Sequence, residues 1–173
     1  MHFNILTIFP EMFPGTLAGG VVGRALDKGI WTCNVINIRD FAINSYGSVD
    51  DTQFGGGAGM VMRPDVLGAA LDSIEKPGKI IYFSPRGPRL NQEMVHEFVA
   101  DEDTTYTLLC GRYEGIDERV IEEYGIMELS IGDYILSGGE IAAQVLVDSC
   151  VRLMDNVVHG GDDTTQNESF EIG

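Results

Sequence analysis

Three short apolar runs in this chain end in glycine-bearing turns. Ile80-Ile-Tyr-Phe83 leads into Ser84-Pro-Arg-Gly87, Thr105-Tyr-Thr-Leu-Leu109 into Cys110-Gly-Arg-Tyr-Glu-Gly-Ile-Asp117, and residues 126–129 into Ser130-Ile-Gly-Asp-Tyr-Ile-Leu-Ser-Gly-Gly-Glu140. Short runs rich in aliphatic and aromatic residues, bounded by turn signals, read as strands covered on both faces, the pattern of a parallel sheet. Glycine accepts φ > 0 and leaves room beside the backbone. Gly111, Gly115, Gly132, Gly138 and Gly139 therefore predict loops shaped around a ligand, with any added side chain intruding on it. Open parallel sheets bind ligands beyond the carboxyl ends of their strands, so a nucleotide-like or small-molecule pocket is expected there.

The rest of the chain supplies the helices such a sheet needs. Residues 2–9 form a short apolar strand, and Phe13, Leu17, Val21 and Leu26 then recur at roughly helical spacing after Pro10. Residues 30–38 read as a second strand, and 44–59 as a long polar, glycine-rich loop. Pro64 suits the first position of a helix whose apolar face is Val66, Leu67, Ala70, Leu71 and Ile74. Asn91 is a good N-cap for a helix running to Ala100, with Leu90 and Val95 spaced as a hydrophobic staple. A short helix over 117–124 and a longer one over 139–154 complete the series. Alternating strands and helices predict an α/β fold with a mostly parallel sheet flanked by helices.

Composition narrows the setting. At 173 residues and 44% hydrophobic composition the chain can bury one substantial core. Three widely spaced cysteines, Cys33, Cys110 and Cys150, form no CxxC pair, which points to a reducing cytoplasm rather than a disulfide framework or a zinc site. His2, His96 and His159 share no metal-ligand spacing, so no metal site is assigned. No apolar run approaches the length of a membrane span, and the reading is of a soluble protein. The net charge of −16 argues, by itself, against a polyanionic partner.

Standard phosphate-binding patterns are missing: neither GxxxxGK[ST] nor GxGxxG occurs, and Met60 stands where Gly55-Gly-Gly-Ala-Gly59 would need its last glycine. Asp148 and Arg152 lie four apart on the last helix, which spacing alone reads as a surface ion pair. Arg112, Tyr113, Glu114 and Asp117 crowd one turn, where a carboxylate could balance a cationic ligand.

Taken together, Phe9-Pro-Glu-Met-Phe13, Val49-Asp-Asp51 leading to Gly55-Gly-Gly57 and Gly59-Met60, Ser84-Pro85, Cys110 to Arg119 and Ser130 to Glu140 closely resemble the bacterial tRNA (guanine-N1)-methyltransferase family, over essentially the whole chain. The resemblance implies a SPOUT-type fold with a deep C-terminal trefoil knot and an obligate homodimer with composite active sites. It implies S-adenosylmethionine bound by Tyr82, Phe83, Ser84, Pro85, Gly111, Tyr113, Glu114, Gly115, Ser130, Ile131, Gly132, Tyr134, Leu136, Gly138 and Gly139. The implied reaction is methylation of N1 of guanosine 37 in tRNA, with Arg152 catalytic and Asp50, Gly57 and Gly59 facing the substrate. The family's general base is an aspartate before a Ser-Phe pair, and Glu168 occupies that position here, before Ser169-Phe170. A role for Mg2+ is neither implied nor excluded.

Family members continue into a helical C-terminal domain. The resemblance thus makes residues 1–160 the methyltransferase domain and 161–173 the start of an interdomain linker, with the basic tRNA-gripping part absent. Two rivals stand beside this reading. One is a SPOUT methyltransferase for another RNA position, disfavoured by the Asp50 to Met60 loop and the Arg152/Glu168 pair. The other is a non-catalytic cofactor- or RNA-binding module, favoured by the acidic balance.

Overall fold

The computed structural model describes residues 1–52, 56, 59–101, 105–158 and 169. Five strands, β1 (His2–Thr7), β2 (Thr32–Asn37), β5 (Lys79–Phe83), β6 (Thr105–Leu109) and β7 (Met127–Leu129), form one sheet in the order β2-β1-β6-β5-β7. Every neighbouring pair is parallel. Helices α1 (Gly20–Asp27), α2 (Pro64–Asp72), α3 (Gln92–Ala100), α4 (Glu118–Glu123) and α5 (Glu140–Val151) cover it.

Side chains alternate across the strands and so divide the core in two. Phe3, Ile5, Ile81, Phe83, Tyr106 and Leu108 pack into one cluster with Trp31 and with Ala143, Leu146 and Val147 of α5. Leu6, Ile80, Tyr82 and Leu109 point the other way, toward Val66, Leu67, Ala70 and Leu71 of α2 and Val120 and Ile121 of α4. Each fully buried Leu, Ile or Phe is worth roughly 1.5–3 kcal/mol, so a sheet apolar on both faces needs both helix layers. Buried polar groups are paired: Asn4 Nδ2 donates to the Lys76 carbonyl at 3.2 Å, and Thr107 Oγ1 to the Pro77 carbonyl at 2.6 Å.

β5, β6 and α2 begin where the sequence predicts. Asn91 does cap α3, its side chain accepting from the Met94 N–H at 2.9 Å. Two expectations need correcting. The helix predicted after Pro10 is broken into two 3-10 turns, Pro10–Met12 and Gly15–Ala18, before α1 starts at Gly20. Gly15 and Gly20 both adopt φ near +60°, which no continuous helix allows. The segment read as featureless from 44 to 59 contains β3 (Asp50–Thr52), which pairs antiparallel with β4 (Met60–Met62) as a small separate ribbon.

Sheet order and register position the site. Phe83 is level with Leu129, and Tyr82 with Leu109, so the carboxyl ends of β5, β6 and β7 form one edge from which the three glycine-bearing turns emerge side by side.

Candidate active site

A cavity of about 270 Å³ opens at that edge. Its walls are the turn after β5, the turn after β6 and the long connection from β7 to α5. All fifteen residues predicted to bind the cofactor line it, from Tyr82 to Pro85, through Gly111, Tyr113, Glu114 and Gly115, to Ser130, Ile131, Gly132, Tyr134, Leu136, Gly138 and Gly139.

Backbone pairing fixes the walls. The Ser84 N–H donates to the Leu129 carbonyl at 3.0 Å, and the Leu90 N–H to the Ser130 carbonyl at 2.7 Å. The turn after β5 is thereby zipped to the start of the third wall. Across the cavity floor the Gly139 N–H donates to the Gly111 carbonyl at 3.0 Å. That bond needs unusually close backbones. A Cβ on Gly139 would lie 2.8 Å from the Cys110 Cα, and one on Gly111 would lie 2.4 Å from the Tyr82 ring. Side chains at these positions would strike the neighbouring wall even before any ligand is considered, so the glycines serve wall-to-wall packing. Gly115 differs, adopting φ +123°, a conformation essentially reserved for glycine.

The turn after β6 is strained as well as close-packed. Tyr113 is a non-glycine residue at φ +58°, which costs on the order of 1 kcal/mol and is held by the Gly115 N–H bond to the Arg112 carbonyl. The β3–β4 ribbon secures the same turn from outside, since the Glu114 N–H donates to the Met60 carbonyl at 2.9 Å and the Met62 N–H to the Gly115 carbonyl at 3.0 Å.

Arg112, which its sequence context does not single out from Tyr113, Glu114 and Asp117, also lines the cavity. Its Nε and Nη2 reach Oε2 of Glu140 at 3.0 and 2.9 Å, and Nη1 donates to the Ser137 carbonyl at 3.1 Å. The guanidinium lies 4.5 Å from the centre of the Phe9 ring and close against Gly138, where a Cβ would fall 2.1 Å from Nε. Glu140 is only 1% exposed, and its other oxygen accepts from Thr7 Oγ1 at 2.7 Å. A glutamate opening an apolar helix was the available signal.

The wall chemistry suits a ligand with a flat base, polar ends and a cationic centre. Tyr82, Phe83, Leu129, Ile131, Leu136 and Ala142 give apolar surface, Ser84 and Ser130 give hydroxyls, and Glu114 gives a carboxylate. Burial, with the charge of Glu128 adding to it, raises the Tyr82 phenol, which stays a neutral hydrogen-bonding group. Burial likewise pushes the adjoining Cys110 thiol well above its ordinary range.

Other predicted site residues lie elsewhere. Arg152 caps the C-terminus of α5, half-buried, with its N–H donating to the Asp148 carbonyl at 3.1 Å, and it does not line the cavity. Asp50 and Gly59 sit on the ribbon beside the turn after β6, and a Cβ on Gly59 would meet Glu114 Cγ at 2.5 Å. Gly57 and Glu168 lie outside the described residues.

The model of the family described as tRNA (Guanine-1)-methyltransferase TrmD matches residues 1–173. The chain belongs to that family. The tRNA (guanine-N(1)-)-methyltransferase of Ehrlichia ruminantium strain Gardel is 53% identical over 172 residues, 98% of this chain and 72% of that protein. The enzyme of the same name from Wolbachia pipientis wMel is 53% identical over 178 residues, covering 100% and 74%. The crystal structure of tRNA (m1G37) methyltransferase from Aquifex aeolicus superposes with a TM-score of 0.80 at 38% identity, covering 92% of this chain and 72% of that one. The fold is accordingly SPOUT-type, and the family is one of methyltransferases, for which S-adenosylmethionine is the general methyl donor. Among the described residues no helix is long and apolar enough to cross a membrane.

Proposed function

We propose that this protein transfers the methyl group of S-adenosylmethionine to N1 of guanosine 37 in tRNA. The observation that carries the reading is the cavity at the carboxyl edge of β5, β6 and β7, whose walls gather every residue expected to hold the donor. Bound there, S-adenosylmethionine supplies an electrophilic methyl group on a positively charged sulfur. The chain's task is then to hold the donor, present the base and take away a proton.

Guanine N1 carries a hydrogen that must leave, and negative charge develops toward O6. Glu168 is the proposed base, and Arg152 the cation that stabilises the developing charge. Asp50, Gly57 and Gly59 are proposed to meet the nucleotide. That assignment is supported by two hydrogen bonds that tie the ribbon to the turn after β6, a wall of the cavity.

Arg152 lies away from the cavity of its own chain, which favours a homodimer whose active sites are completed across the interface. Ile141 and Val145 support this, being 51% and 40% exposed one turn apart on α5. The trefoil-knotted threading of the C-terminal part, the division at residue 160, and a cytoplasmic location belong to the same reading. Three free thiols, Cys33, Cys110 and Cys150, agree with a reducing compartment.

The test is to label unmodified tRNA with the tritiated methyl donor, digest it to nucleosides and map the tritium. Label in 1-methylguanosine at position 37 is the expected result. Label at another nucleotide would select a different RNA target, and donor binding without transfer would select a non-catalytic module.

A further inference from the structure

Resting on that reading, we propose that Glu140 is a positioning and charge-compensating residue that cancels the charge of Arg112 and thereby lets the pocket distinguish the cationic methyl donor from its neutral product. The inference starts from an oddity of the wall. A pocket meant for a sulfonium has an arginine in its lining, and an uncompensated guanidinium there would repel the ligand.

The structure answers this with a buried device. Both Nε and Nη2 of Arg112 are turned onto one oxygen of Glu140, and the remaining carboxylate oxygen is satisfied by Thr7 at the end of β1. The 1% exposure of Glu140 and the half-burial of Arg112 leave little water between the charges, so the pair acts outward almost as a neutral unit. Among the described lining residues Glu114 then remains as the one carboxylate outside this pair. The guanidinium also bridges two walls, from Cys110-Gly111-Arg112 to Ser137 and Gly138, so the device has a mechanical part as well.

The two parts predict different signatures. Loosening the walls weakens S-adenosylmethionine and S-adenosylhomocysteine alike, because the ligands share all but the methyl group and its charge. Uncovering the arginine charge weakens only the cation. Coulomb interaction with a unit charge at pocket range, at an effective dielectric near 20, corresponds to about tenfold in affinity.

The experiment is calorimetric titration of the 173-residue chain with each ligand. Glu140→Gln, which keeps the shape and an acceptor oxygen for Arg112 while turning a donor toward Thr7, is expected to shift the affinity ratio about tenfold against S-adenosylmethionine. Thr7→Val, which leaves both charges, should leave the ratio at the parent value whatever it does to either affinity. The double variant Glu140→Gln/Arg112→Gln should restore the parent ratio. An unchanged ratio in a folded Glu140→Gln protein overturns the proposal. If that variant does not fold, Arg112→Gln decides: a ratio shifted toward S-adenosylmethionine supports charge compensation, and the parent ratio overturns it. Failure of the parent protein to bind either ligand would instead refute the proposed function itself.

Discussion

Gly139→Ala isolates the contact on which the cavity floor depends. Gly139 has φ −80° and ψ −9°, an ordinary conformation for alanine, so no backbone strain enters. The whole cost is steric: the new Cβ would stand 2.8 Å from the Cys110 Cα and 3.1 Å from the Gly111 nitrogen, both backbone atoms with no rotamer in which to retreat. Overpacking of this kind costs about 1–3 kcal/mol. For a chain of this size 1 kcal/mol lowers Tm by roughly 2–4 °C, so a fall of about 2–12 °C is expected in a thermal scan. Because the walls must part to relieve the clash, the 3.0 Å Gly139–Gly111 bond lengthens and affinity for S-adenosylhomocysteine should fall at least tenfold. Gly125→Ala is the control. Gly125 has φ +58° with nothing within 4 Å of its missing Cβ, so alanine there costs about 1–2 kcal/mol through the backbone and leaves the cavity untouched. A Gly139→Ala protein with the parent's Tm and ligand affinity, or a Gly125→Ala protein that loses binding equally, would refute the wall-packing argument.

Single-turnover methylation should drop about 10²–10⁴-fold in Glu168→Gln and in Arg152→Ala with donor affinity unchanged, while Glu168→Asp keeps most of the rate. Equal rates for Glu168→Gln and the parent would move the base to another carboxylate, with Asp50 next. Light scattering at micromolar concentration should give a dimer mass, and Ile141→Glu/Val145→Glu a monomer; a monomeric parent removes the composite site. The side-chain hydrogen bond from Arg119, reinforced by its N–H, lowers the Asp117 carboxyl to about 2. Stability from this depressed group is fully present above the unfolded pKa near 3.9 and is lost as pH falls toward 2. Solvent screens this surface pair, so Asp117→Asn should be only slightly less stable than the parent at pH 7, with the two curves converging between about pH 4 and 2. A gap that persists at pH 2 would assign the effect to helix capping instead of charge.

Those parts of the fold governed by burial on both faces were readable locally. Lys79–Phe83 and Thr105–Leu109 match their apolar runs to within one residue, because their inner positions are buried between helices above and below. The segment after β1, from Pro10 to Asp27, was not readable in the same way. Phe13, Leu17 and Val21 do face apolar surroundings, but two short turns deliver them there instead of one helix, and helical spacing does not separate those solutions. The β3–β4 ribbon was hidden for another reason. Three-residue strands carry too few positions to show a period of two, and the ribbon takes part of its stability from the turn after β6, some fifty residues away.

The site was legible as a set of loops and illegible as a set of contacts. Glycine says that something comes near the backbone, and sequence alone offers the ligand as the obvious visitor. For Gly111, Gly138 and Gly139 the visitors are Tyr82, Arg112 and Cys110, brought in by the ends of β5 and β6. Thr7 and Glu140 make the same point at longer range, because a threonine closing β1 and a glutamate opening α5 become partners only once β1 lies beside β6 in the sheet. Residue types predicted which segments meet, and the parallel register decided which atoms touch. The proposed charge compensation rests on the second of these, because Arg112 meets its buried carboxylate partner 28 residues further along the chain only when the turn after β6 lies against the start of α5.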